Sequence, residues 1–171
     1  MIGEVYNGTE RNINWVSVPT NFFDATGGLI TVSNGYTWFG YHIRPGEKTC
    51  FYVMITPPAG WTRYEFEIPH FSSSDDPRPL LTVFNDSGAV SGSTSYRIIG
   101  QVRNDDTTRV DSVRIVGTLY NNSDVPIGCG MTGVSSTNLD PGQTSSFILS
   151  YYGRSWDDVQ AYHLQHDGDP Q

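Results

Sequence analysis

Two stretches of this chain are copies of one another, and this internal repeat constrains the fold more than any other feature of the sequence. Residues 2–30 (IGEVYNGTERNINWVSVPTNFFDATGGLI) align without a gap with residues 99–127 (IGQVRNDDTTRVDSVRIVGTLYNNSDVPI). Further on, residues 43–51 (IRPGEKTCF) match residues 139–147 (LDPGQTSSF) after a slip of one residue. A repeat of this length predicts that one structural unit occurs twice in the chain.

Each copy has the pattern of short β-strands joined by tight turns. In the second copy, Val113, Ile115 and Leu119 fall on one face of an extended chain, and the first copy has apolar residues at the same places. Residues 24–28 (DATGG) and 121–124 (NNSD) predict hairpin turns, because Asn, Asp and Gly tolerate left-handed backbone angles. Since no segment shows a sustained helical period, the pattern predicts an all-β protein of two tandem antiparallel β-sandwiches.

The domain boundaries follow from the repeat. We expect a first domain at residues 1–69, a linker at residues 70–79, which are polar and contain proline, and a second domain at residues 80–171. An extra hairpin, residues 80–99, opens the second copy and has no equivalent in the first. A sandwich without this edge strand exposes unpaired backbone groups. We therefore expect either that the chain begins at a truncation point or that a neighbouring chain, including a second copy, covers the edge.

Charge and composition exclude several classes of partner. The formal net charge is −8 and Lys48 is the sole lysine, which argues against binding to a phosphate backbone. No apolar run approaches the roughly 20 residues that a membrane-spanning helix needs, and the first residues do not have the pattern of a signal peptide. The chain is therefore expected to be cytosolic or part of a longer exported precursor. Because a disulfide framework usually has more cysteines, Cys50 and Cys129 are expected to be free thiols in strands.

The second copy resembles a known family. GQVRNDDTTRVDSVRIVGTLYNNSDVPIG, followed by LDPGQTSSFIL and AYHLQ, is similar to the FxLYD domain, an immunoglobulin-like sandwich of exported and lipid-anchored bacterial and archaeal proteins. The resemblance covers about residues 80–166, and the first copy is similar over residues 2–68. The second copy matches the family in Gly-x-Val-x-Asn, in Pro141-Gly142 and in the Phe147 that follows, and it has Leu119-Tyr120-Asn121 in place of the Leu-Tyr-Asp motif. The first copy has Phe22-Phe23-Asp24 at the position of that motif. The resemblance implies an extracytoplasmic location and a role as a spacer or interaction module, and it supplies no catalytic residues.

The residues themselves offer little for catalysis or for metal binding. His163 and His166 point to opposite faces of a strand, so they do not readily share one metal ion. Acidic turns at residues 72–77, 104–106 and 167–170 could bind Ca²⁺, but solvated turns are the favoured interpretation. The sequence has no phosphate-binding glycine loop, paired zinc-type cysteines or EF-hand spacing. We therefore predict that the protein is not an enzyme and has no cofactor and no metal site.

Aromatic residues of the first copy are the candidate binding residues. Trp15 precedes a core-facing valine and should point away from the core, and Tyr36, Trp38 and Tyr41 crowd one predicted hairpin. Planar rings on a sandwich surface suit sugar stacking or a protein interface, and packing between the two domains is the alternative. The leading prediction is a non-catalytic module, acting as a spacer or protein-interaction domain of a prokaryotic surface or secreted protein. The alternative is a carbohydrate-binding module that uses these four rings, with a cell-surface glycan as its partner.

Overall fold

The protein is built from β-strands. A computed structural model describes residues 1–38, 42–75 and 78–171, and within these ranges it contains twelve strands and no helix. The chain divides into two compact units, unit 1 (Met1–Asp75) and unit 2 (Asp76–Gln171). All strand pairs are antiparallel. The prediction of an all-β antiparallel protein is confirmed.

Unit 1 forms one connected sheet of six strands. Its strands are β1 (Ile2–Tyr6), β2 (Asn12–Phe23), β3 (Leu29–Tyr36), β4 (Lys48–Val53), β5 (Arg63–Phe66) and β6 (His70–Ser74). The order is β1-β4-β3-β2-β5, and β6 also pairs with β2. Strand β1 therefore lies at the end of this path and pairs with β4 alone among the described residues.

Unit 2 has two three-stranded sheets. Its strands are β7 (Leu81–Val90), β8 (Ser95–Asn104), β9 (Val110–Tyr120), β10 (Pro126–Gly133), β11 (Thr144–Tyr152) and β12 (Ala161–Pro170). The sheet orders are β10-β9-β12 and β11-β8-β7. Alternating apolar side chains of the strands form the buried core: Ile98, Val102, Ile115, Leu119, Phe147 and Leu149.

Two buried asparagines show that the sequence repeat is also a structural repeat. Asn7 follows β1 and Asn104 ends β8, and both side chains are enclosed. Each Nδ2 donates to two backbone carbonyl oxygens at 2.8–2.9 Å: those of Arg11 and Ile43 in unit 1, and those of Thr108 and Leu139 in unit 2. Each side chain thus ties the end of its strand to the backbone of two other segments of the same unit. Strands β1 to β4 therefore correspond to β8 to β11.

Two glycines repeat in the same way. A Cβ atom on Gly3 would lie 2.6 Å from the ring of Phe51, and one on Gly100 would lie 2.6 Å from the ring of Phe147. Each glycine thus admits the aromatic ring of the neighbouring strand, β4 or β11. Because these glycines and phenylalanines are part of the aligned sequence, the repeat preserves the packing as well as the strand order.

Two expectations from the sequence are wrong. Cys50 and Cys129 are not free thiols, because both are disulfide-bonded. The first half of the expected linker is not a connection, because His70–Ser74 forms β6 and pairs with the first half of β2. This strand is exposed along most of its length, and so its sequence lacks the apolar alternation that marks a half-buried strand.

Candidate binding surface

The predicted aromatic residues do not form one described cluster. Trp15 lies on β2, is 56% exposed and has a left-handed φ of 52°. Tyr36 ends β3 as the cross-strand neighbour of Tyr52, and the ring of Trp38 lies 5.2 Å from that of Tyr52. The structure therefore brings Tyr36 and Trp38 to the same tyrosine. The fourth predicted residue, Tyr41, lies outside the described residues.

A groove beside β1 is a concave surface that the structure adds to this picture. We call it the β1 groove; its volume is about 320 Å³, and its lining residues are Glu4, Val5, Tyr6, Val18, Phe51, Phe66, Glu67 and Pro69. The floor is apolar and buried, since Val5, Val18 and Phe51 are each at most 7% exposed. Tyr6 and Phe66 are exposed. The groove thus combines an apolar floor with accessible aromatic rings.

Strand β7 occupies the corresponding place in unit 2. It pairs with β8 on the side opposite β11, and Val83 stands directly across from Val102. Leu81 is buried in the core of unit 2, and Val83 packs against that core. Among the described residues of unit 1, no strand pairs with β1 in the manner of β7. The β1 groove is therefore open because unit 1 has no described counterpart of β7.

Strand β5, which contributes Phe66 to the groove lining, shows the same difference between the two units. In unit 2, the hydroxyl of Tyr162 donates to Asp86 Oδ2 on β7 at 2.7 Å. Burial, followed by the hydrogen bond that the hydroxyl donates to Asp86, raises the pKa of Tyr162 to about 12. Tyr64 of β5 is the counterpart of Tyr162, because their cross-strand neighbours Phe22 and Leu119 align. Tyr64 is exposed, as is expected of a ring that has no strand like β7 to lie against.

Three aromatic rings form a row that ends at Phe66, which lines the groove. The ring centroids of Trp61 and Tyr64 are 6.3 Å apart, and those of Tyr64 and Phe66 are 5.3 Å apart. Phe66 also meets Phe51 edge to face at 5.2 Å. These separations are those of favourable aromatic pairs. The row therefore has a defined shape, although each of its three rings is partly exposed to solvent.

Two carboxylates distinguish the β1 groove from its filled counterpart. Glu4 aligns with Gln101, and Glu67 corresponds to Gln165, because they lie across from the aligned residues Pro19 and Val116. Lys48 Nζ lies 3.1 Å from one carboxylate oxygen of Glu4. The groove that lacks a strand thus bears acidic groups where the filled one bears neutral amides. The alignment of the copies already shows that Glu4 stands in place of Gln101. Glu67 can be compared with Gln165 only when the strand register is known.

The described residues contain no arrangement typical of an active site. Within residues 1–38, 42–75 and 78–171, no three His, Cys, Asp or Glu side chains are grouped so as to hold a metal ion. His163 and His166 both lie on β12. No helix that is long and apolar enough to cross a membrane occurs in these ranges. The β1 groove combines an open strand edge, an apolar floor and acidic groups.

Comparisons of the chain with protein-family models, with curated proteins and with solved structures returned no match. The resemblance to the FxLYD domain therefore stays a prediction.

Proposed function

We propose that the protein is a non-catalytic, extracytoplasmic β-sandwich module that binds another protein through the β1 groove. One observation carries the proposal: the two units share a fold, yet among the described residues a strand fills this groove in unit 2 and none fills it in unit 1. An open strand edge beside an apolar floor is a surface that natural proteins normally cover. A protein-interaction module uses such a surface, whereas a simple spacer has no need of it.

Other features support the proposed location. Cys50 and Cys129 are disulfide-bonded, and disulfides persist chiefly in oxidising compartments outside the cytoplasm. The negative charge of the chain favours solubility and argues against nucleic-acid partners. The resemblance to the FxLYD domain, a module of exported and lipid-anchored proteins, points to the same location.

Site-specific photocrosslinking in the source organism tests the proposal. A photoreactive phenylalanine analogue replaces Tyr6 in the groove or, as the control, Tyr152 on β11; the two tyrosines are 68% and 69% exposed. We expect a discrete crosslinked protein from position 6 and none from position 152. Equal crosslinking at both positions, or none at position 6, would contradict an interaction through the groove.

A carbohydrate-binding function is the second candidate. It is favoured by the exposed ring of Trp15 and by the row of Trp61, Tyr64 and Phe66, because sugars stack on accessible rings. Titration with polysaccharides while Trp fluorescence is recorded tests it. Quenching that Trp15→Ala or Trp61→Ala abolishes would support glycan binding, and unchanged binding by both variants and by Trp38→Ala would remove its basis.

A further inference from the structure

We propose that the β1 groove binds an extended β-strand of a partner protein, one with two alternate apolar residues and a cationic residue beside Glu4. This inference rests on the proposed interaction function and specifies the chemistry of the partner. Unit 2 provides the template, because its own β7 shows how a strand fills the equivalent groove.

The backbone of β1 fixes the direction in which a strand can add. The Asn7 amide donates to the Glu47 carbonyl at 2.9 Å, and the Met1 carbonyl accepts from the Val53 amide at 2.9 Å. Odd-numbered residues of β1 therefore direct their backbone groups towards β4. Because these directions alternate along a strand, the backbone groups of Tyr6 point to the side that a further strand would occupy.

The register follows from unit 2. Arg103, the counterpart of Tyr6, lies across from Thr82 of β7. Leu81 and Val83, the neighbours of Thr82 on β7, lie across from Asn104 and Val102. The side chains of Leu81 and Val83 both pack into the core of unit 2. A strand bound to β1 in this register places apolar side chains opposite Asn7 and Val5. Those side chains would cover the apolar floor of the β1 groove.

Charge selects among strands with this pattern. In unit 2, Asn85 of β7 donates from Nδ2 to Gln101 Oε1 at 3.0 Å. Glu4 replaces Gln101 in unit 1, so a lysine or arginine at the position of Asn85 would face a carboxylate. Glu67 adds a second negative charge to the groove lining. The partner strand is therefore expected to be basic at this point.

A second copy of the chain is a poorer occupant. Pairing β1 with the β1 of another molecule would bring together two edges on which the carboxylates of Glu4 and Glu67 outnumber the ammonium group of Lys48. Like charges on neighbouring strands are destabilising. The acidic groove thus favours a basic strand from a different protein.

A tethered strand tests the inference on the full chain. Residues 81–97 are fused in front of Met1, which aligns with Ile98, so that the graft can fold back onto β1 at high effective concentration. The control graft carries Leu81→Asn and Val83→Asn. Amide hydrogen exchange by NMR is then measured at Tyr6 and Ile2. We expect the first graft to slow exchange at these amides at least about tenfold and the control graft to leave it unchanged.

A charge variant tests the chemistry of the partner. Replacing Asn85 by lysine within the graft should increase protection at Tyr6 by a further factor of about three at low salt, a typical effect of one exposed ion pair. In a chain that also carries Glu4→Gln, this gain should disappear. A gain that survives Glu4→Gln would show that the carboxylate does not select the strand.

The remaining outcomes separate the two proposals. Crosslinking at position 6 without protection by the graft would leave the interaction function standing and overturn strand addition. Equal protection by both grafts would also overturn it, because apolar side chains would then not matter. If the unmodified chain sediments as a dimer in which the Tyr6 amide is already protected, a second copy fills the groove and the proposed partner is wrong.

Discussion

Val5 of β1 and Val102 of β8 occupy equivalent positions in two copies of one fold, but among the described residues Val102 has a strand on each side and Val5 has a strand on one side. Val102 lies across from Val83 of β7 and across from Ser145 of β11, whereas Val5 lies across from Thr49 of β4 alone. The difference leaves the groove beside Val5 open. It is the structural basis of the function proposed for this protein.

The buried asparagines should be essential to both units. Asn7→Ala removes the two hydrogen bonds that Nδ2 donates and the acceptor of the Thr9 amide, and a buried polar group left unsatisfied costs about 1–3 kcal/mol. We expect the free energy of unfolding to fall by about 3 kcal/mol, and Asn104→Ala should have a similar effect in unit 2. Urea denaturation measures both. Asn34→Ala, on the exposed part of β3, is the control and should change stability by less than about 0.5 kcal/mol.

The left-handed residue of β9 offers a stabilising substitution. Ser112 has a φ of 53° and is exposed, at the position that corresponds to Trp15 in unit 1. A left-handed backbone costs a non-glycine residue about 1–2 kcal/mol, and glycine avoids that cost at a smaller entropic penalty. Ser112→Gly should therefore raise the melting temperature. Ser87→Gly on β7, where φ is not positive, should lower it; a fall for both variants would contradict the argument.

Acid should affect the first hairpin turn more than the second. Asp24 Oδ1 accepts hydrogen bonds from the Thr26 side chain and from the Thr26 and Gly28 amides, and these bonds, led by the Thr26 hydroxyl, lower the pKa of Asp24 below its ordinary value of 3.8. A lowered pKa in the folded state means that the carboxylate stabilises the turn above pH 3.8 and ceases to do so as the pH falls through the folded-state value. Asn121 makes equivalent amide contacts in unit 2 and does not titrate.

NMR titration of the Asp24 carboxyl tests this prediction. The pKa should lie below 3.8, and Asp24→Asn should remove the acid sensitivity of this turn while the turn itself remains. A pKa at or above 3.8 would contradict the hydrogen-bonded geometry.

The disulfide has a direct chemical test. Because Cys50 and Cys129 are both disulfide-bonded, the denatured chain should show no reaction with a thiol reagent until it is reduced, and two thiols per chain after reduction. Two thiols before reduction, in protein prepared under oxidising conditions, would restore the expectation of free cysteines.

Local chemistry made the turns and most of the strands predictable. Asp24 and Asn121 lie where hairpin turns were expected, and their side chains accept hydrogen bonds from the backbone amides of those turns. The alternation at Val113, Ile115 and Leu119 likewise predicted a core-facing strand, and all three residues are fully buried. These features depend on neighbours in the sequence, and so the sequence contains the information directly.

Long-range relationships were harder to predict. The disulfide bonding of Cys50 and Cys129 depends on distant parts of the chain, and composition alone suggested free thiols. Strand β6 was missed because it is exposed and polar. The alignment indicated that residues 1–69 contain no counterpart of the hairpin at residues 80–99, but it did not reveal the acidic groove. Glu67 of this groove is recognised as the counterpart of Gln165 only from its position across from Pro19, on a strand far away in the sequence.

The most direct test of the account compares two amides by hydrogen exchange in the unmodified chain. Arg103 faces β7, whereas its counterpart Tyr6 faces the open groove. We predict that the Tyr6 amide exchanges at least about a hundredfold faster than the Arg103 amide, because a backbone group at an open edge lacks the protection of a ladder hydrogen bond. Equal protection of the two amides in a monomeric sample would show that the edge of β1 is already covered and would contradict the proposed function.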